Sequence, residues 1–103
     1  GVGVSQVRHM GLEEGIAEVS ADEVVRVGVE TDTPDAEGLV ISCTNLATLD
    51  AIPILEDRLG KPVVSANQAT VWHSCVLAGV PWADDFGVGR LWRANRPAAV
   101  AAE

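Results

Sequence analysis

Apolar residues are grouped along this chain in short runs that predict strands separated by helices. Two runs stand next to turn-forming residues, LVIS over residues 39–42 and KPVVSA over residues 61–66, and a third, VGVSQV, covers residues 2–7. Continuous apolar runs of this length are typical of buried strands in parallel sheets. We therefore predict three strands, with residues 39–42 fully buried.

Between the strands, polar residues able to cap helices precede apolar residues at helical spacing. Residues 20–30 are predicted to form a helix, with Ser20 as the N-cap and Glu23 three residues later, as in a capping box. Asn67 is predicted to cap a last helix. Its apolar face would consist of Trp72, Cys75, Val76 and Gly79.

A further helical segment is predicted after residue 45, with Asn45 as its cap. Its apolar positions are Leu46, Leu49, Ile52, Leu55 and Leu59. Pro53 cannot lie inside an unbroken helix without removing a hydrogen bond. We therefore expect a short turn, and then a second helical piece that begins near Pro53 and ends at Gly60.

Strands that alternate with helices predict an α/β fold with a parallel sheet. In such sheets ligands bind outside the carboxyl ends of the strands. Cys43 follows one strand directly, and Ser65–Asn67 lie at the end of another. This edge of the sheet is therefore the predicted site.

Composition and charge exclude several classes of function. The chain has 103 residues, a net charge of −8 and a pI near 4.5, which argues against a nucleic-acid partner. Its apolar runs are too short to span a membrane, so no membrane partner is expected. Two cysteines without a Cys/His cluster suggest neither a disulfide framework nor a zinc site, and a reducing cytoplasm is the expected location.

Cys43 permits two interpretations. Free cysteines are among the most buried side chains, so this residue could simply be a small apolar group at the edge of the core. Alternatively, its place between a strand and a capped helix would favour the thiolate and make proton transfer possible near neutral pH. Thr44 and Asn45 are either ordinary helix-start residues or donors that hold a carboxylate or a developing enediolate.

Other candidate residues carry weaker signals. Cys75 shares a helix face with Trp72 and is predicted to be structural. His73 is predicted to be a surface or hydrogen-bonded histidine, and His9 lies in a loop. The GVG triplet at 87–89 lacks the spacing of a dinucleotide-binding motif.

Residues 38–80 resemble the C-terminal half of the family that includes maleate cis–trans isomerases, arylmalonate decarboxylases and Asp/Glu racemases. The resemblance rests on S-C-T at 42–44, L-D-x-I-P at 49–53, G-K-P-V-V-S at 60–65 and N-Q-A-x-x-W-H at 67–73. GVGRLW at 87–92 is similar to the closing segment of that family. S-C-T-N followed by N-Q-A favours the maleate isomerase branch, since decarboxylases tend to have S-C-G-G there.

The resemblance implies a flavodoxin-like, Asp/Glu racemase-type lobe, one of two pseudo-symmetric lobes that enclose the active site. It implies no metal or organic cofactor and a small carboxylic acid as substrate. Cys43 matches the cysteine that protonates or deprotonates the carbon next to a carboxylate. A first lobe, or a second copy of the chain, would have to complete the site.

We therefore interpret residues 1–92 as the C-terminal α/β lobe of a cofactor-independent isomerase, racemase or decarboxylase, and residues 93–103 as a loose, alanine-rich tail. Cys43 is the expected acid/base, and Thr44 and Asn45 are the expected substrate contacts. The isolated lobe is expected to be inactive or nearly so. The alternative is a non-catalytic flavodoxin-like lobe that binds a ligand or partner.

Overall fold

The computed structural model describes residues 3–9, 11, 14–42, 46–83 and 86–93. Within these residues three helices and two strands alternate, with 3₁₀ turns at Ile16–Glu18 and Arg90–Arg93. The elements are α1 (Ala21–Thr31), β1 (Leu39–Ile41), α2 (Ala51–Leu59), β2 (Val63–Ser65) and α3 (Ala66–Ala78). The predicted α/β class is confirmed.

The two strands are parallel neighbours, and α2 connects them. Leu39 pairs with Val63 and Ile41 with Ser65, so both strands end at the same edge. A parallel pair needs a crossover connection, and α2 supplies it. The parallel arrangement predicted from the apolar runs is therefore confirmed.

Helix α1 begins as its sequence predicts. The Ser20 hydroxyl accepts the backbone N–H of Glu23 at 3.2 Å, which satisfies one of the free donors at the helix start. The Glu23 carboxylate does not close the capping box but pairs with Arg26. Gly28 lies where α1 meets α2, and a Cβ there would lie 2.8 Å from Leu55 Cδ2. A glycine is therefore needed for this close helix contact.

The core lies between α1, α2 and the sheet. It consists of Val24, Val25, Leu46, Ala51, Ile52, Leu55 and Val63. Ile52, Leu55 and Val63 are fully buried. Truncating a buried leucine or isoleucine to alanine costs about 2–5 kcal/mol, so Ile52 and Leu55 dominate the packing of this small core.

Two strand predictions are wrong. Described residues 3–9 are exposed and form no strand, because β-branched composition alone does not supply a neighbouring strand to pair with. The full burial predicted for residues 39–42 is also wrong. Val40 is 73% exposed, because its side chain points away from the sheet face that carries the partly buried Leu39 and Ile41.

Two helix starts also differ from prediction. Residues 46–50 are not helical, and α2 begins at Ala51 after Asp50, so no helix starts directly after Asn45. The predicted turn and the helical piece near Pro53 are confirmed. Pro53 is the third residue of α2, where its backbone nitrogen has no helical acceptor to lose, and Gly60 ends the helix with φ 65°.

The cap of α3 is Ser65 rather than Asn67. The Ser65 hydroxyl accepts the N–H of Gln68 at 3.2 Å, and the helix already begins at Ala66. Serine and asparagine are comparable caps, so the end of β2 at Ser65 decides between them. Of the predicted tail, Arg93 closes the final 3₁₀ turn, and residues 94–103 lie outside the described part.

Candidate active site

An open cleft of about 650 Å³ lies at the carboxyl ends of β1 and β2, the edge at which the sequence predicts a site. We call it the strand-end cleft. Its lining residues are Val19, Ala21, Leu46, Ala47, Thr48, Leu49, Asp50, Ser65, Asn67, Gln68, Val71 and Trp92. Most of these side chains are apolar, and a few polar groups stand among them, as in many small-molecule sites.

Ser65 links the sheet to the cleft. It ends β2, pairs with Ile41 of β1 and is 2% exposed. Its hydroxyl oxygen also caps α3 by accepting the N–H of Gln68. This part of the cleft lining is therefore fixed where β2 passes into α3 without an intervening loop.

Residues 86–93, here called the closing segment, bring Trp92 to the cleft. The carboxylate of Glu56 on α2 accepts the backbone N–H of Arg90 at 3.0 Å and that of Val63 at 3.0 Å. Glu56 is only 7% exposed. A buried carboxylate needs hydrogen-bond donors, and here both come from the backbone. Glu56 thereby ties the closing segment to α2 and β2.

Gln68 makes a second connection to the closing segment. Its side-chain Nε2 donates to the backbone carbonyl of Val88, while its Oε1 is buried and has no hydrogen-bond partner among the described residues. The carbonyl acceptor at Val88 fixes which end of the amide points to it. Gln68 therefore joins the first turn of α3 to the closing segment.

Glycine residues allow the closing segment to approach α2 closely. A Cβ at Gly89 would lie 2.9 Å from Ile52 Cγ2 and 3.3 Å from Glu56 Oε1. A Cβ at Gly87 would lie 2.5 Å from the Trp92 ring. Both glycines have positive φ, 72° at Gly87 and 88° at Gly89. The GVG triplet thus serves packing here, which agrees with its lack of dinucleotide-binding spacing.

Three aromatic rings stabilise the end of the closing segment. Trp92 meets Trp82 at 5.3 Å and Phe86 at 4.9 Å between ring centroids, both edge to face. The Trp82 Nε1–H donates to the backbone carbonyl of Trp92 at 2.7 Å. Edge-to-face pairs of this kind add to the stabilisation from burial alone. Trp92 is therefore held on two sides while it lines the cleft.

The charge of the cleft limits how it could bind an anion. Asp50 is the one ionisable residue among the described lining residues, and no lysine or arginine is among them. A substrate carboxylate would therefore depend on hydroxyl, amide or backbone N–H donors. The described residues contain no cluster of three His, Cys, Asp or Glu side chains that could hold a metal.

Cys43, Thr44 and Asn45, the predicted site residues, lie outside the described residues, so their roles stay predictions. The chain enters this tripeptide from the exposed Ser42 and leaves it at the buried Leu46, which lines the strand-end cleft. The predicted helix N-terminus directly after Asn45 is not present at residues 46–50. Residues 46–50 therefore supply no helix N-terminus that would favour the thiolate of Cys43.

The other sequence candidates lie apart from the cleft lining. His9 is exposed, and His73 is exposed and stacks on Trp72 with 6.0 Å between ring centroids. Cys75 is half-buried and unpaired. The exposure of His73 agrees with the surface role predicted for it, whereas the structural role predicted for Cys75 stays a prediction.

The sequence did not indicate the roles of Glu56, Gln68 and Trp92. Glu56 lies directly beside the fully buried Leu55 on the inner side of α2, a position that signals a buried charge with a partner. The two glycines before Trp92 are the corresponding signal for a tightly packed segment. Neither signal predicts which backbone groups these side chains bind.

None of the helices in the described part of the chain is long and apolar enough to cross a membrane.

Comparison with known proteins gives consistent matches. A family model described as arylmalonate decarboxylase matches residues 1–92. The chain is 42% identical over 89 residues to the arylmalonate decarboxylase of Bordetella bronchiseptica, covering 82% of this chain and 37% of that protein. The crystal structure of an arylmalonate decarboxylase superposes with a TM-score of 0.73 at 38% identity, covering 85% of this chain and 40% of that one.

A glycine-to-cysteine mutant of arylmalonate decarboxylase, in a sulfate-ion-associated form, gives a TM-score of 0.75 at 40% identity over 84% of this chain and 39% of that one. The chain thus spans 37–40% of the length of these relatives. The predicted family resemblance and the racemase-type α/β fold are confirmed, whereas the preference for the maleate isomerase branch stays a prediction. The chain belongs to the arylmalonate decarboxylase family.

Proposed function

We propose that this chain is the C-terminal lobe of a cofactor-independent enzyme that decarboxylates a small malonate-type carboxylic acid, with Cys43 as the proton donor. The observation that carries the proposal is the strand-end cleft, whose lining includes Leu46, the third residue after Cys43 in the sequence. Family membership supports the same reaction class.

The proposed reaction needs one acid and a set of hydrogen-bond donors. The bond between the substrate carbon and one carboxyl group breaks, CO₂ leaves, and the electron pair remains on the substrate as an enediolate. The Cys43 thiol then gives its proton to that carbon, and the resulting thiolate recovers a proton from water. A thiol titrates near 8.5 when unperturbed, so it is a suitable acid for this step at neutral pH.

Thr44 and Asn45 are proposed to bind the carboxylate that remains. The described lining residues include no cation, so neutral donors must stabilise the negative charge of the enediolate. Side-chain hydroxyl, amide and backbone N–H groups are suited to this role.

A first lobe is the proposed partner, and a second copy of this chain is the other possibility. The chain spans 37% of its Bordetella relative, so most of that protein has no counterpart here. Several apolar side chains are also uncovered, among them Val40 at 73% and Leu77 at 76% exposure. Exposed apolar surface of this kind is typical of a face that another unit covers. A cytoplasmic location stays a prediction.

Isomerisation of maleate is the second candidate reaction, favoured by S-C-T-N at 42–45. In this reaction a second cysteine, supplied by the other lobe, would add to the double bond. The new single bond would rotate, and elimination would give the trans diacid. Cys43 would act as the acid/base.

A chimera tests the proposed function. This chain would replace the matching part of the Bordetella decarboxylase, and the chimera would be incubated in D₂O with phenylmalonate or with maleate. We expect CO₂ release and phenylacetate that carries one deuterium on the α-carbon. Conversion of maleate to fumarate without CO₂ release would favour the second candidate. A folded chimera that changes neither substrate would contradict both.

A further inference from the structure

Trp92 belongs both to the aromatic cluster of the closing segment and to the lining of the strand-end cleft. It is 6% exposed, and it is the one aromatic residue among the described lining residues. The cluster partners Trp82 and Phe86 do not line the cleft. Trp92 alone therefore connects this packing to the cleft.

The Trp92 ring has little freedom to move. Trp82 and Phe86 contact it edge to face, and Gly87 lies so close that an added Cβ would be 2.5 Å from the ring. The backbone carbonyl of Trp92 is held by the indole N–H of Trp82. Rigid aromatic surfaces give up little conformational entropy when a ligand binds against them.

The segment that carries Trp92 is also fixed relative to the sheet. Glu56 holds the N–H of Arg90, and Gln68 holds the carbonyl of Val88. Both contacts lie within six residues of Trp92 along the chain. The ring is consequently positioned before any substrate arrives.

We infer that Trp92 is a specificity-determining residue whose ring forms the wall against which the apolar substituent of the substrate packs. This inference rests on the proposed decarboxylase function. A large apolar substituent gains more binding free energy against an apolar wall than a methyl group does, because this free energy scales with the apolar area buried. Trp92 therefore sets the preference for the substituent, whereas Cys43 performs the proton transfer.

The test compares Trp92→Leu with Trp82→Leu in the chimera described above. Both variants remove one ring from the same aromatic cluster, but only Trp92 lines the cleft. The measured quantity is kcat/KM for phenylmalonate divided by kcat/KM for methylmalonate. We expect Trp92→Leu to lower this ratio about tenfold, mainly through a higher KM for phenylmalonate. Trp82→Leu removes one support of the Trp92 ring but leaves the ring in the cleft, so it should lower the ratio by no more than about threefold.

Equal changes of the ratio in the two variants, or no change in either, would overturn the inference and leave the proposed function intact. If the chimera turns over neither malonate, the proposed function fails. A measurement of phenylacetate binding then tests the inference on its own. Phenylacetate should then quench the tryptophan fluorescence of the chimera saturably, and Trp92→Leu but not Trp82→Leu should weaken that binding about tenfold. Equal affinities in the two variants would overturn the inference.

Discussion

The carboxylate of Glu56 accepts the backbone N–H of Arg90 with both oxygens, at 3.0 Å each, although the two residues are 34 positions apart. One oxygen also accepts the N–H of Val63 at 3.0 Å. A single buried side chain thus joins α2, β2 and the closing segment. The wall that Trp92 gives to the cleft depends on this junction.

Replacing Glu56 with glutamine tests that junction. The amide has one acceptor oxygen where the carboxylate has two, and its NH₂ group would face backbone donors. We expect Glu56→Gln to lower the free energy of unfolding by about 2 kcal/mol, measured by urea denaturation of the chain. Asp57→Asn, an exposed neighbour on the same helix, is the control and should change stability little. Equal effects of the two substitutions would contradict the role of Glu56.

The elements defined by local signals were predictable from the sequence. Ser20 begins α1, Pro53 marks the first turn of α2, and Gly60 ends it, because each acts through its own backbone geometry or its nearest neighbours. The parallel pairing of β1 and β2 followed from their apolar runs and the helix between them. The edge of the sheet that carries the cleft was predicted for the same reason.

Several of the errors come from contacts between distant parts of the chain. Residues 2–7 have a strand-like composition, but composition does not supply a neighbouring strand. Val40 has the sequence of a buried position, but nothing in the described part of the chain covers the sheet face to which it points. The role of Glu56 was not predicted because its partner Arg90 lies 34 positions away. The role of Trp92 was not predicted because its place in the cleft depends on how the closing segment packs against α2. Cys43 was singled out by motif and lies outside the described residues.

Gly89→Ala should disrupt the packing of the closing segment. The new Cβ would lie 2.9 Å from Ile52 Cγ2, and φ is 88°. Gly79→Ala is a matched control, because φ is 68° there and nothing lies within 4 Å of an added Cβ. Backbone strain alone costs about 1–2 kcal/mol, and overpacking at Gly89 should add about 1–3 kcal/mol to it. Thermal unfolding measures the stability of both variants. A loss of stability in Gly79→Ala as large as that in Gly89→Ala would contradict the packing role of the GVG triplet.

A pH titration tests the ion pairs on α1. The hydrogen bond from the Arg26 guanidinium holds the pKa of Glu23 below its ordinary value of 4.5. Stability from this shift is therefore present above pH 4.5 and is lost as the pH falls through the lowered pKa. Both side chains are exposed, so we expect a small effect that salt weakens. An NMR titration should show the Glu23 pKa rising in Arg26→Gln, and an unchanged pKa would contradict the assignment.

The uncovered apolar side chains should make the isolated chain associate. Leu77 on α3 is 76% exposed, and Val71 on the same helix is 50% exposed. We expect the sedimentation coefficient of the chain to rise with concentration, and Leu77→Gln to reduce that rise. Arg58→Gln, an exposed polar position on α2, serves as the control. A chain that stays monomeric at all concentrations would weaken the case for a missing partner surface.

The central claim is that Cys43 delivers the proton that completes decarboxylation, and one comparison tests it most directly. Phenylmalonate turnover by the chimera would be measured for Cys43→Ser and for Cys75→Ser, which removes the half-buried thiol of α3. A hydroxyl is a far weaker acid than a thiol, so Cys43→Ser should lower kcat by at least about a hundredfold, with circular dichroism unchanged. Cys75→Ser should keep most of the activity. Full turnover by a folded Cys43→Ser chimera would contradict the account.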